Sequence, residues 1–190
     1  MRTEEDSFYI EKTKNGDLQA FGALVLKYQT YALTLAVRIL KNRQEAEEAT
    51  QDAFVKAFQA IQDFEGNSKF TTWLYTIVYR EAIGRIRKRK YFEEMDELED
   101  SIAIISEDLN GFEILNRNER KEILRAGLDS LKPAESAILS LFYLDQLSIK
   151  EIEDITAQSN SQVKVLLHRG RKNLYSILQR QTNKEISPSL

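Results

Sequence analysis

From Asp17 onward the apolar residues fall at steps of three and four: Leu18, Phe21, Val25, Tyr28, Ala32, Leu35 and Ile39. That spacing places one stripe on one face of a helix, and Asp17 is a good N-cap for it. An acidic stretch before it reads as a short leading helix. "KNRQ" breaks the pattern, and Asn42 with Glu45 forms a capping-box variant that starts a second long helix over about Arg43–Asp63. Its inner face is Ala49, Ala53, Ala57, Ala60 and Phe64; its outer face carries Glu45, Glu48, Asp52 and Lys56. "FEGNS" is a turn by composition. Leu74, Val78, Ala82 and Ile86 then define a third helix over about Lys69–Lys90.

Periodicity fades from Tyr91 to about Asn118, with a short helical turn expected near Phe112–Leu115, and returns over Glu119–Leu131. Pro133 suits the first turn of the next helix. Ser148 and Glu151 form a capping box, flanked by a Leu147–Ile152 staple. Ser159 and Gln162 look like a second box, opening a last helix whose inner face is Val163, Leu167, Gly170, Leu174 and Ile177. The pattern predicts an all-α chain of two small helical domains joined by an acidic linker.

Composition sharpens this picture at three points. Seven glycines and two prolines in 190 residues favour long helices over a turn-rich β fold. There is no cysteine and a single histidine, His168, so disulfides, thiolate metal sites and Glu-x-x-His di-metal sites are excluded. No apolar run approaches the roughly 20 residues of a membrane span, and the start is too acidic for a signal peptide.

Net charge is −3, but the average hides opposite blocks: Phe64–Lys90 carries +5 and Tyr91–Glu119 carries −9. Segmental asymmetry of this kind says more about partners than the sum.

Candidate chemistry follows from these blocks. Leu147–Leu174 has the short capped helix, tight turn and longer basic helix of a helix-turn-helix. Ser161, Gln162, Lys164, Val165 and His168 project from the outer side of the second helix, with Arg169, Arg171 and Lys172 further along for phosphates. The third helix interleaves Thr72, Trp73, Thr76, Tyr79 and Arg80 with a basic end at Arg87 and Lys88, a surface suited to unstacked bases. Two readings stand for Trp73, core or stacking platform. Two also stand for the Glu45–Lys56 face, solvated surface or protein-docking surface. No Ser-His-Asp set, phosphate-binding glycine loop or metal-spaced cluster occurs, so no enzyme, metal or cofactor is expected.

Together these motifs resemble bacterial sigma factors of the extracytoplasmic-function (ECF) group. "EATQDAFVKAFQAIQDF" resembles their polymerase-docking helix. "FEGNSKFTTWLY" resembles their Phe-x-Gly-x-Ser-x-Phe-x-Thr-Trp-Leu-Tyr pattern, and "LSIKEIEDI…SQVKVLLHRGRKNL" their C-terminal helix-turn-helix.

The resemblance implies residues 1–92 as sigma region 2, 93–118 as the linker, 119–180 as region 4 and 181–190 as a disordered tail. Glu48, Gln51, Asp52, Phe54 and Val55 would dock on core RNA polymerase, at the clamp of its largest subunit, with a further contact at the flap. The turn Glu65, Gly66, Asn67, Ser68 and Lys69, with Thr72, Trp73, Thr76, Tyr79, Arg80, Arg87 and Lys88, would read the melted minus-ten element. Ser159, Ser161, Gln162, Lys164, Val165, His168, Arg169 and Arg171 would read the minus-thirty-five duplex of promoter DNA. An anti-sigma factor, a cytoplasmic location and no membrane insertion are implied as well. The competing reading is a stand-alone helix-turn-helix regulator whose first module binds a protein or a signal. Val78, Tyr79, Arg80 and Gly84 replace the family's Ala-Arg-Asn and following Asp, Ala157 replaces its turn glycine, and Val165-Leu166 replaces a Ser-Arg pair.

Overall fold

A computed structural model describes residues 2–95 and 117–184, and among these it contains eight α-helices and no strand. They are α1 (Arg2–Lys14), α2 (Leu18–Leu40), α3 (Arg43–Gln59), α4 (Phe70–Met95), α5 (Arg117–Asp129), α6 (Pro133–Leu139), α7 (Ile149–Thr156) and α8 (Asn160–Lys184). The first four form one bundle and the last four another.

Local chemistry sets most helix starts. The Asp17 side chain accepts from the backbone N–H groups of Gln19 and Ala20, and Asn42 accepts from that of Glu45. Only this half of the expected Asn42–Glu45 box forms, because Glu45 instead faces Arg89 at 3.7 Å. α2 is apolar and long enough to span a bilayer, but its Leu24, Tyr28, Leu35 and Ile39 are buried against the neighbouring helices, as in a core helix. α1 runs 13 residues, longer than its sequence suggests. Buried Asp6 holds it, accepting from the Tyr28 hydroxyl and the Lys27 ammonium, both at 2.6 Å.

Several boundaries depart from the sequence pattern. α3 ends at Gln59, and Ile61–Asp63 tighten into a 3₁₀ turn that delivers Phe64 to the next helix. α4 continues past the basic run to Met95, so the change of charge sign begins inside a helix; Glu is nearly as good a helix former as Lys. The helix starting at Pro133 gives way at Ser140 to a wider π turn, in which the Asp145 N–H reaches the Ser140 carbonyl at 3.1 Å. α8 extends to Lys184, four residues into the expected tail. The turn expected near Phe112–Leu115 lies outside the described residues.

The second bundle closes α8 on α6 at Gly170, where a Cβ would sit 3.2 Å from Leu139. Its capping boxes form as the sequence predicts. Ser148 and Glu151 bond reciprocally, and the Ser159 N–H donates to the Gln162 side chain at 2.9 Å. The turn between α7 and α8 passes through Ala157 at φ +55°, the left-handed region that favours glycine. An L-residue there pays about 1 kcal/mol, partly offset because glycine is freer in the unfolded chain. Ala157→Gly is therefore expected to stabilise the protein by about 0.5–1 kcal/mol in urea titrations.

Candidate nucleic-acid interfaces

The outer face of α8 is built by its period. Val163, Leu167 and Gly170 turn inward and are buried, which leaves Ser161, Gln162, Lys164, Val165, His168, Arg169 and Arg171 exposed. Three of them are committed locally, Ser161 through a hydrogen bond shared with the Ser159 hydroxyl at 3.1 Å. The Gln162 carbonyl oxygen serves the Ser159 cap, leaving its NH₂ as the free end. Arg171 leans on the Leu167 carbonyl and on the Tyr143 hydroxyl, each at 3.3 Å. The arrangement matches the steric demands of a major-groove helix.

The turn before α4 is shaped by Gly66 at φ +78°, a backbone state L-residues avoid. Asn67 donates to Glu65 at 2.7 Å across it. Beneath it lies an aromatic cluster, with the Trp73 ring 5.2 Å from Phe64 and 5.6 Å from Phe70. Trp73 is half-buried, so it is both wall of the core and floor of the turn. Asn67, Ser68, Lys69, Arg80, Arg87 and Lys88 are exposed and Thr76 is half-buried, but Thr72 and Tyr79 are buried, at 2% and 7% exposure. The Thr72 hydroxyl has no hydrogen-bond partner among the described residues. Burial also raises the Tyr79 hydroxyl above its ordinary pKa.

On α3, Glu48, Gln51, Asp52 and Val55 are exposed, whereas Phe54 is mostly buried. The basic run of α4 does not all face outward. Arg85 reaches across to Glu48 at 3.0 Å and Asp52 at 2.5 Å, and Lys56 pairs with Glu81. Burial disfavours the Arg85 cation, but the two carboxylates outweigh it and hold its pKa above the usual value. Arg85 thus organises the carboxylate face, a role that local sequence gives no sign of, since its partners lie 33 and 37 residues away.

The two bundles also meet. α7 packs along α4 and α6 against α2. Lys69 pairs with Glu151 at 2.8 Å, the Tyr75 hydroxyl bonds the Asp145 carboxylate, and Arg38 pairs with Asp129. Burial pushes Asp145 up to about 6 despite that bond, and pushes the Tyr75 hydroxyl far above its ordinary value. Burial also works to raise Glu151, but bonds from Lys69 and Ser148 outweigh it and hold its carboxyl low.

Comparison with known proteins fits this two-bundle layout. A family model described as Sigma-70 region 2 matches residues 24–91, and one described as Sigma-70, region 4 matches residues 121–174. The ECF RNA polymerase sigma factor SigW of Bacillus subtilis is 32% identical over 172 residues, covering 87% of this chain and 92% of the relative. The chain belongs to the ECF sigma factors. It is therefore a transcription-initiation factor and not an enzyme. Two solved structures share its fold over most of its length. CnrH, in complex with the cytosolic domain of CnrY, gives a TM-score of 0.65 at 20% identity, covering 93% of this chain and 98% of that one. The sigma factor RpoE of Bartonella quintana, in complex with the anti-sigma factor NepR, gives 0.64 at 21%, covering 85% and 98%. The region 2 match runs from within α2 through α4, and the region 4 match from within α5 into α8.

Proposed function

We propose that this ECF sigma factor binds core RNA polymerase through the exposed carboxylate face of α3, and that it directs initiation at promoters read through α4 and α8. Glu48 and Asp52, fixed by Arg85, present a preorganised acidic patch to a basic partner. The turn Glu65–Lys69 and the exposed part of Trp73 hold a base of the melted minus-ten strand. Extracting it costs a few kcal/mol, and stacking returns about 1–3 kcal/mol per base. Lys164 and Val165 read the minus-thirty-five duplex, with Val165 against a thymine methyl and Arg169 on phosphate.

The observation that supports this reading is the joint exposure of the turn Glu65–Lys69 and of the outer face of α8 in a chain that matches both sigma regions. An anti-sigma factor is a further expected partner, supported by the complexes in which its structural neighbours were solved, and the cytoplasm, where the polymerase works, is the expected location. Purified chain with core polymerase should initiate at a small set of sites on genomic DNA that core alone ignores. Absence of both core binding and new start sites would refute the reading in favour of a stand-alone regulator.

A further inference from the structure

α2 and α3 line a cleft of about 670 Å³, which Arg125 of α5 also borders. Small-molecule sites run from about 300 to 1,000 Å³, so the volume suits a metabolite and exceeds what a bare ion needs. Of the residues assigned above to polymerase or DNA, only Gln51 lines it.

The walls divide into an apolar part and a cationic part. Leu33 and Val37, one turn apart on α2, make the apolar wall. The Thr34 and Thr50 hydroxyls donate to the Thr30 and Ala46 carbonyls, at 2.8 and 2.7 Å, so their protons are already committed. The strong donors are arginines. Arg38 is 8% exposed, and among the described residues it bonds through Nη1 alone, to Asp129 and to the Arg125 carbonyl. Its Nε is buried with no partner among the described residues. Buried polar groups are nearly always paired, so an orphan of this kind marks the place of a further partner. Nε and Nη2 together form an edge of the guanidinium that grips a carboxylate or phosphate with two parallel bonds. Arg125 is exposed, and it meets Arg38 through its backbone carbonyl, which leaves its guanidinium for the cleft. Counting Arg38, Arg43, Arg125 and Lys41 against Glu47 and Asp129, the local charge is +2.

We propose that this cleft binds a small organic phosphate, with the phosphate on Arg38 and Arg125 and the organic body along Leu33 and Val37. A phosphate monoester carries about −1.5 to −2 at pH 7, which matches the local charge; a single carboxylate would leave half of it unbalanced. Nε is shielded from water, so the guanidinium tilts to present its unused edge. The long 3.4 Å bond to the Arg125 carbonyl is the one that such a tilt gives up, while Asp129 keeps Nη1. The site does not depend on the function proposed above.

The probes are phenyl phosphate, inorganic phosphate and phenol, each titrated calorimetrically into the full chain at pH 7 in a low-salt buffer. Phenyl phosphate should bind at one saturable site, about tenfold more tightly than inorganic phosphate, because its ring leaves water for the apolar wall. Phenol should not bind measurably. Arg38→Lys keeps a cation for Asp129 but has no fork, and Arg125→Gln removes the second cation while its carbonyl stays in place. Each should weaken phenyl phosphate about tenfold or more, as expected for a lost charge-assisted bond. Arg180→Gln, an exposed arginine of α8 outside the cleft, should bind as wild type does.

No saturable phosphate binding by the wild type overturns the proposal. So does equal weakening in all three variants, which would mean attraction to the surface as a whole. Loss in Arg38→Lys alone also overturns it, since a loosened contact would then explain the result without a phosphate site. Equal affinity for phenyl phosphate and inorganic phosphate overturns the organic part of the assignment and leaves an adventitious ion only.

Discussion

Asp52→Arg should lower the affinity for core polymerase by about 100-fold or more, since placing like charges across a docking face costs several kcal/mol. The structure shows why the single substitution is ambiguous and how to repair it. Asp52 is paired with Arg85, so an arginine at 52 would face an existing cation inside the bundle and leave Glu48 to serve both. Some loss of binding could then come from a displaced α3. Asp52→Arg combined with Arg85→Asp restores the cross-helix pair with its polarity reversed. Thermal unfolding should return close to wild type, because the pair is half-exposed and its geometry is kept. Polymerase binding should stay lost, because the outward charge is still inverted. Recovery of binding along with stability would make Asp52 a structural residue and move the docking site elsewhere. A stand-alone regulator would show no change in transcriptional output with either variant.

What the sequence makes legible here is whatever is decided within a few residues. Asp17, the Ser148–Glu151 box and the Ser159–Gln162 box are local hydrogen-bond contests, and each forms where the residue types place it. The outward set on α8 follows from helix period alone. The less legible features all depend on distant residues. Arg85 and Arg89 lie in the basic end of the third helix, yet both face carboxylates more than thirty positions earlier. The π turn that aims Asp145 has no signature in "SLFYL". Thr72, Tyr79 and Phe54 fall on the faces that the motifs assign to partners, but neighbouring helices bury them. Ala157 is a different case: the family's glycine position keeps its left-handed backbone after the glycine is gone. Burial of paired polar groups between the regions is the part of the site that periodicity had no means to show.

That buried pairing leads to an unequal response to two substitutions at one ion pair. Arg38 is 8% exposed, its Nε has no partner among the described residues, and beside it Lys41 donates to the Leu128 carbonyl at 3.0 Å. Asp129, half in solvent, is the anion that serves both cations. Asp129→Ala strands the buried Arg38 charge in the contact between regions and removes the anion beside the more exposed Lys41. Breaking a buried pair from one side costs about 3–5 kcal/mol, and the exposure of Asp129 points to the lower end. The packing of region 4 on region 2 should open, seen as a larger radius of gyration by X-ray scattering.

Arg38→Met removes the unpartnered Nε and leaves Asp129 free to hydrate, so the contact should change by about 1 kcal/mol or less. Equal opening by both variants would mean that Asp129 acts on the fold of α5 and not through the pair.

The same contact should respond to pH. Burial lowers Lys41 to about 8, with Asp129 opposing that shift and Arg38 adding to it. The packed state therefore favours the neutral amine, and packing tightens as pH rises through about 8 toward the value of a free lysine. Asp145, raised to about 6, favours its neutral acid when packed, so packing also tightens as pH falls from about 6 toward the ordinary carboxylate range. Lower still, protonation of Glu151 releases Lys69 and reverses the gain, since that carboxyl is held low by the contact. The regions should accordingly hold each other least firmly between about pH 6 and pH 8, where Lys41 and Asp145 are both charged. In Asp129→Ala the Lys41 value falls further, which widens the high-pH side of the profile into the neutral range. A radius of gyration that is flat across the window in both proteins would show that neither group senses the contact.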